Sequence, residues 1–313
     1  MKLVVLDGEA FNPGDISWDE FRALGEFEYY PRSTAEEVIE RGKDADVIFT
    51  NKCVIDKKVI DSLKNLKYVG EFATGYNNID INYAKEKGIV VTNVPNYSTD
   101  SVAQTTFALL LEITTKVGMH DKSVKDGDWC KCPNFCYWLD SLTELKDKKI
   151  GIVGYGNIGK KVAEIAKAFG MQVFVNSRSY RGEGYLDLEE MYKICDIITL
   201  HLPLTEQNKE MINRESIEKM KDGVIIVNTA RGGLVNEEDM KNALNSGKIK
   251  AFACDVISEE PMKKDNPLLK AKNVIITPHI AWVSYETRKR LYDIALNNVK
   301  CWLSGNVENQ VNR

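Results

Sequence analysis

The sequence predicts an α/β protein of two doubly wound, parallel-sheet domains, and three observations predict it. Short runs rich in Val, Ile and aromatic residues alternate with amphipathic segments from the first residues onward. The alternation breaks after Pro95 and restarts near Lys149. The length of 313 residues is long for one core and ordinary for two. Strand–helix alternation implies parallel sheets with helices on both faces, because each crossover helix returns the next strand beside its neighbour.

In the first series Lys2–Leu6, Phe27–Tyr30, Ala45–Thr50, Tyr68–Phe72 and Ile89–Asn93 read as strands. Trp18–Leu24, Ala35–Arg41, Lys57–Leu63 and Ile79–Lys87 read as helices, and Gly88 stops the last of them. After Pro95, Asn96-Tyr97-Ser98-Thr99-Asp100 offers caps. Val102 to about Val124 then reads as one long apolar-rich helix that bridges the domains. Residues 126–142 read as an irregular loop crowded with Trp129, Pro133, Phe135, Tyr137 and Trp138, which needs a surface to bury against. The second series places strands at Lys149–Val153, Gln172–Asn176, Ile197–Leu200, Val224–Asn228, Ala251–Asp255 and Val274–Thr277. A last helix runs from about Ser284 to Leu303 and ends at Ser304-Gly305.

The bulk properties exclude several classes of function. Hydrophobic residues make up 43% and charged residues 28%, a globular balance, and the net charge is -4. No Lys/Arg run is long enough to track a phosphate backbone, so no nucleic-acid partner is expected. No apolar stretch approaches the roughly 20 residues of a membrane helix, and the start reads as a strand rather than a signal peptide. The expected location is the cytoplasm. Seven cysteines, an odd number, argue against a disulfide framework. Cys130, Cys132 and Cys136 cluster, but they lack a second CxxC or a nearby His partner, so no metal is expected there.

The most specific local signal is Gly151-Ile152-Val153-Gly154-Tyr155-Gly156-Asn157-Ile158-Gly159. A lone G-x-G-x-x-G is weak, but this one follows the strand KKIGIV and opens the helix KKVAEIAKAF. Gly154 permits the tight turn, Gly156 lets backbone approach a pyrophosphate, and Gly159 allows close helix–strand packing. The helix N-terminus then offers free N–H groups to the phosphates. A dinucleotide site is therefore expected. The next strand ends in Asn176-Ser177-Arg178-Ser179 rather than in the carboxylate that usually holds the ribose of NAD. Arg178, with Ser177 or Ser179 and with Arg181 as a second cation, suits a 2′-phosphate. Alternatively, Asn176 accepts a ribose hydroxyl in a solvated turn. The cofactor is thus NADP or NAD, with NADPH favoured.

Reduction of a ketone needs a proton donor for the emerging alkoxide and a cation for a substrate carboxylate. Of three histidines, His120 falls inside the predicted long helix, and His201 follows a strand end near the expected phosphates. His279 follows the last strand, at the carboxyl edge where such sheets bind ligands. Arg231, in NTARGG, also follows a strand end, and its planar fork matches a carboxylate. Glu260, in DVISEEP, is the carboxylate available to orient an imidazole. Each has an ordinary alternative: a surface cation, a helix-start acid, a capped loop residue. All three follow strands of one dinucleotide domain, and that coincidence points to a site.

At this point the chain resembles the D-isomer-specific 2-hydroxyacid dehydrogenases from end to end. GYGNIG, LHLPLT, NTARGG, DVISEEP and PHIAW occur in that family's order and spacing. The resemblance implies a flavodoxin-like substrate domain, residues 1–98 plus 286–313, with a Rossmann coenzyme domain, residues 99–285, inserted in it. It implies that Arg231 binds substrate carboxylate and carbonyl, that the His279–Glu260 pair delivers the proton, and that Asp255 supports the nicotinamide carboxamide. Val102, Thr106, Pro203, Thr229, Ala230 and Ala281 join Gly154, Gly156, Asn157, Ile158, Gly159, Asn176, Ser177, Arg178 and His201 around the cofactor.

Phe72-Ala73-Thr74-Gly75-Tyr76-Asn77-Asn78-Ile79-Asp80 resembles the family's carboxylate loop, in which Ala73, Thr74 and Gly75 present main-chain donors to an anion. FATGYNNID, NVPNYSTDSVAQ and the FCYW loop are most similar to the glycerate dehydrogenase and hydroxypyruvate reductase branch. The substrate implied is hydroxypyruvate, then glyoxylate. Glu260 departs from the formate dehydrogenases, where a Gln is usual. Asn157, where a basic residue is common, and Asn176, where a carboxylate is usual, depart from the pattern. The resemblance also implies a homodimer built largely on the Val102 helix, with Trp138 reaching a neighbouring subunit's site and limiting substrate size. The alternative readings are a reductase of larger 2-oxo acids and a dinucleotide-sensing corepressor-like protein.

Overall fold

The structure, a computed structural model, describes residues Met1–Arg313. Two compact units divide the chain, Met1–Ser98 with Trp282–Arg313, and Thr99–Ala281. In the first, β1 (Lys2–Val5), β2 (Glu26–Tyr29), β3 (Val47–Thr50), β4 (Tyr68–Glu71) and β5 (Val90–Thr92) form a parallel sheet in the order β2-β1-β3-β4-β5. That is the flavodoxin-like order. Helices α1 (Asp19–Arg22), α2 (Ala35–Gly42), α3 (Lys57–Ser62) and α4 (Ile81–Glu86) connect the strands. Thr34 and Glu37 cap α2 reciprocally, and Asp56 and Asp80 cap α3 and α4, so each helix starts where an oxygen accepts an orphan N–H. The helix expected over Trp18–Leu24 is a single turn.

The second unit begins with α5 (Thr99–Thr115), α6 (Val117–Lys125) and α7 (Asp128–Lys131). Here the expected continuous helix from Val102 to Val124 is corrected: it breaks at Lys116, which adopts a left-handed conformation with φ 51°. The hydroxyls of Thr114 and Thr115 bond back to the carbonyls of Leu110 and Leu111, a pairing that competes with the helix ladder. The freed Thr114 carbonyl accepts from Thr143, and the Glu112 carboxylate accepts the Gly118 amide at the start of α6.

The second sheet comprises β6 (Lys149–Val153), β7 (Gln172–Asn176), β8 (Ile197–Leu200), β9 (Val224–Asn228), β10 (Ile249–Cys254) and β11 (Val274–Ile276). Helices α8 (Asn157–Ala168), α9 (Leu188–Ile194), α10 (Arg214–Lys219) and α11 (Glu237–Ser246) lie between them. All pairs are parallel, in the order β11-β10-β9-β8-β6-β7. Outside β7 a single bridge joins Val175 to Tyr185, which reduces the third strand of a Rossmann sheet to one residue pair. Central strands such as β8 (IITL) and β9 (VIIVN) are buried throughout, which explains their continuous apolar runs. The winding reverses between β6 and β8, the position at which open α/β sheets bind ligands.

The last helix, α12 (Tyr285–Leu303), returns to the first unit and packs Leu291, Tyr292, Ala295 and Val299 on one face of that sheet with Leu3, Val5 and Phe49. Val4, Ile48 and Val69 face the other side, as period-two alternation requires. Residues 282–285, expected in the inserted domain, belong instead with this unit. Trp282 joins its core edge-on to Tyr97, and Ser284 stands at the N-cap of α12. Beyond α12, Gln310 bridges Thr92 antiparallel and Val311 donates to Val91, which covers the open edge of β5. No helix is long and apolar enough to cross a membrane.

Candidate active site

The glycine turn leaves β6 at Gly154, whose φ is +99°. A Cβ there would sit 2.3 Å from the His201 carbonyl oxygen, and one at Gly159 would sit 2.0 Å from the Gly154 carbonyl oxygen. Both glycines are demanded by the protein's own packing. Gly156, the N-cap of α8, is different: a Cβ there would meet nothing within 4 Å. Neither backbone conformation nor packing requires glycine at that point, so its small size serves whatever approaches the helix N-terminus. A pyrophosphate fits, since the first turn of α8 presents N–H groups there.

At the end of β7, the Asn176 amide nitrogen is committed inward to the Leu186 carbonyl at 2.9 Å. Arg181, the second candidate cation, donates to the Ser177 and Tyr180 carbonyls and lies 4.3 Å over the Tyr185 ring. It is therefore a structural clamp. Arg178 has no protein partner. Of the two arginines in this turn, it is the one whose guanidinium is not already bonded to the protein.

Three loops at the carboxyl edge of the second sheet interlock. Buried Asn228, at the end of β9, accepts from the Ala230 amide at 3.0 Å and donates to the Arg231 carbonyl at 2.9 Å. This fixes the turn that carries exposed Arg231, whose guanidinium donates to the Ala230 carbonyl at 2.7 Å. Gly232 packs so closely on Ile257 that a Cβ would overlap its carbonyl carbon, at 1.8 Å. That contact brings the arginine turn against the segment bearing Glu260. Asp255, 1% exposed, accepts from Thr277 Oγ1 at 2.6 Å and from the Ile280 and Ala281 amides at 2.8 Å each. Three donors on one buried carboxylate hold the next loop, where His279 takes a left-handed φ of 56°.

His279 Nδ1 lies 2.6 Å from Glu260 Oε2, and Glu260 Oε1 accepts from the Ile257 amide at 3.3 Å. A carboxylate can only accept, so Nδ1 carries a proton and Nε2 is the nitrogen left for chemistry. Ala281 is tied through its carbonyl to Ser101, and Thr229 Oγ1 lies 2.9 Å from Thr106 Oγ1, which itself donates to the Val102 carbonyl. Thr106 is fully enclosed and Val102 is buried, so any effect of Thr106 on a cofactor passes through Thr229. Pro203 is exposed, and Ala230 is buried.

In the first unit the turn after β4 is anchored by its carbonyls. Phe72 accepts from Asn51 Nδ2 at 2.7 Å, Ala73 from the Val94 amide at 2.9 Å, and Thr74 from Asn93 Nδ2 at 2.7 Å. The amides of Ala73, Thr74 and Gly75 donate to no protein group. Glu71, immediately before the turn, is 1% exposed, and only its Oε2 is bonded, to Asn78 Nδ2 at 3.1 Å. Burial pushes its carboxyl up to about 9, so it keeps its proton at neutral pH. Unfolded, the same group ionises near 4.5. Its stabilising contribution is whole below about pH 4.5 and drains away as pH rises towards 9, by at most about 1.4 kcal/mol per pH unit. Glu71→Gln is expected to flatten this part of the stability profile. Urea midpoints at pH 5 and pH 8 check it, and identical slopes for both proteins would refute the assignment.

Comparison with known proteins gives the family. Residues 107–281 match the model for the NAD binding domain of D-isomer specific 2-hydroxyacid dehydrogenases. A hydroxypyruvate reductase of Blautia hydrogenotrophica is 48% identical, with 100% of each chain covered. A glycerate dehydrogenase of Methylorubrum extorquens is 36% identical over 99% of this chain and 98% of its own. An acyclic imino acid reductase solved with NADPH and D-Arg superposes with a TM-score of 0.87 at 31% identity, covering 99% of this chain and all of its own.

The chain belongs to the D-isomer-specific 2-hydroxyacid dehydrogenase family.

It is thus an NAD(P)-dependent oxidoreductase, and its histidines can be sorted by surroundings. His120 Nδ1 lies 2.8 Å from the Lys116 carbonyl, and its Nε2 accepts from the Leu139 amide, so both nitrogens are occupied. Burial drives His201 down to about 3, with neither ring nitrogen paired, so it stays neutral and cannot act as the acid. His279 alone combines an oriented imidazole with an unengaged nitrogen. The His120 bond to Leu139 also straps the aromatic loop, together with Lys116–Asp140 at 2.7 Å and Trp129 Nε1 to the Phe135 carbonyl at 3.1 Å. On that loop Phe135 is 89% and Trp138 71% exposed, a surface costly to leave in water. Sequence reasoning missed Asn228, Thr277 and Asn93. Each is a short polar residue at a strand end, and that is the only signal the sequence offered for them.

Proposed function

We propose that the enzyme reduces hydroxypyruvate, and glyoxylate second, to the D-2-hydroxy acid with NADPH favoured over NADH. The observation that carries the reading is the His279–Glu260 pair, 2.6 Å apart and held on loops that interlock with the Arg231 turn. The cofactor, when bound, supplies the hydride to the carbonyl carbon from its nicotinamide ring. The chain's own residues do the rest. Arg231 suits the substrate carboxylate and polarises the carbonyl, and the unpaired amides of Ala73, Thr74 and Gly75 are donors suited to a carboxylate. Protonated His279 gives its Nε2 proton to the developing alkoxide and is left neutral, while Glu260 stabilises the imidazolium before that transfer.

The glycine turn, Gly154 to Gly159, takes the pyrophosphate, and the Asn176–Arg178 turn takes the ribose end. NADPH preference rests on Arg178 having no protein partner and on no carboxylate ending β7. The same reading places the enzyme in the cytoplasm as a homodimer, with the exposed Phe135 and Trp138 covered by the second copy and Trp138 limiting substrate size.

The test is reduced-nicotinamide absorbance with hydroxypyruvate, run with NADPH and NADH on the wild type and on Arg178→Ala. Expected is turnover with both cofactors, and a KM for NADPH raised roughly tenfold or more in the variant with NADH little changed. Equal effects on both cofactors would remove Arg178 as the 2′-phosphate reader. No turnover with any small 2-oxo acid would remove the substrate.

A further inference from the structure

We infer that a chain of asparagines, half-buried Asn309 and buried Asn298 and Asn93, is a positioning device for the substrate turn, so that a segment remote in sequence sets affinity for the 2-oxo acid. Asn309 Nδ2 donates to Asn298 Oδ1 at 2.8 Å, Asn298 Nδ2 to the Asn93 carbonyl at 2.9 Å, and Asn93 Nδ2 to the Thr74 carbonyl at 2.7 Å. The Asn93 amide returns to the Asn309 carbonyl at 3.2 Å, which closes the network on itself. All of it lies within the first unit.

Asn298 is 1% and Asn93 8% exposed, so neither amide can exchange its partner for water without opening the core. Asparagine suits each step because one side chain both accepts and donates. Asn298 uses both functions at once, between residue 309 and residue 93. Asn93 uses its side chain on the turn and both main-chain groups on the partners behind it.

The consequence lies in the peptide plane between Thr74 and Gly75. A carbonyl and the following amide point in opposite directions, so fixing the Thr74 oxygen inward turns the Gly75 N–H outward. The Val94 amide on the Ala73 carbonyl does the same for the Thr74 N–H. The side-chain bond from Thr74 Oγ1 to the Val94 carbonyl, at 2.8 Å, locks the residue between them. The donors are thus pre-aimed, and ordering them does not have to be supplied by substrate binding. The inference rests on the proposed role of these amides as carboxylate donors. Asn93 and Asn298 touch no substrate; they act through the turn.

The experiment compares Asn93→Ala, Asn298→Ala and the control Asn297→Ala in the full-length enzyme. Asn297 is the neighbour on α12 whose amide binds Glu308 Oε2 at 3.0 Å and does not lead to the turn. Steady-state kinetics with hydroxypyruvate, NADPH titration, and deuterium uptake of the peptide spanning residues 89–97, which carries the Val94 amide bonded to the Ala73 carbonyl, are read together. For Asn93→Ala and Asn298→Ala the KM for the 2-oxo acid is expected to rise about tenfold, the worth of one lost positioning hydrogen bond, with kcat within about twofold. NADPH affinity stays unchanged, uptake in the peptide bearing the Val94 amide accelerates as the turn loosens, and the control resembles wild type. Unchanged uptake in both variants overturns the inference, whatever KM does. Faster uptake with an unchanged KM overturns it differently: the chain then holds the turn, but the turn does not hold substrate, and the carboxylate reading fails with it.

Discussion

Replacement of His279 by glutamine is expected to lower kcat by roughly 10²–10⁴-fold, the usual worth of a positioned general acid, while NADPH affinity stays near that of the wild type. Glutamine can still hydrogen-bond a carbonyl oxygen, but it cannot deliver a proton to an alkoxide. Steady-state turnover together with NADPH titration separates the two effects, because the imidazole is held by Glu260 and its loop by Asp255, not by the glycine turn. Glu260→Gln is expected to cost less. The amide oxygen can still accept from Nδ1 and keep the ring oriented, but the negative charge that stabilises the imidazolium is gone. Near-normal turnover in His279→Gln would leave the proton without a source, since His120 has both nitrogens occupied and His201 is held neutral by burial. The family assignment would survive such a result and the role of His279 would not.

Much of this arrangement is legible from the chain because its signals are local. A strand, a G-x-G-x-x-G turn and the start of a helix are contiguous in Gly151–Gly159, and Gly154 and Gly159 each answer to a steric demand within a few residues or on the adjoining strand, while Gly156 leaves open space. The apolar runs of β8 and β9 are continuous because a parallel central strand has no solvent face. What stays hidden is whatever depends on a particular partner that no residue pattern reveals. Lys116 breaks the expected helix because Thr143 and Glu112 take up the groups it frees, and nothing in a run of apolar residues announces that. The Asn176 amide nitrogen is claimed by Leu186, which leaves its Oδ1 as the acceptor for a ribose hydroxyl, and Arg181 folds onto Tyr185, neither of which the run of residues shows. Asp255 also holds the loop of His279, a second task that its place after a strand does not announce. Short polar side chains carry little sequence signal, because the same residues that cap a turn elsewhere are here the ones that aim it.

Arg231→Ala should have the larger effect on kcat/KM, a loss of roughly 10³-fold, and should leave the fold intact. The guanidinium makes one hydrogen bond to its own chain, at the Ala230 carbonyl, and the turn is held by Asn228 and by the Gly232 approach to Ile257. Stability therefore does not depend on this side chain, and the melting temperature of the variant should match the wild type. The substrate does depend on it. Charge-assisted hydrogen bonds are worth about 1.5–3 kcal/mol each, so losing a bidentate pair of about 4 kcal/mol corresponds to the thousandfold loss. Because the same fork would hold the carboxylate in the ground state and the polarised carbonyl in the transition state, KM should rise and kcat should fall together. Arg231→Lys sharpens the test. Lysine restores a positive charge without the planar fork, so recovery should be partial if geometry matters and nearly complete if charge alone suffices. Full activity in the lysine variant would make Arg231 a simple counter-ion, and unchanged KM in the alanine variant would place the substrate carboxylate elsewhere, on the turn at Ala73–Gly75 alone.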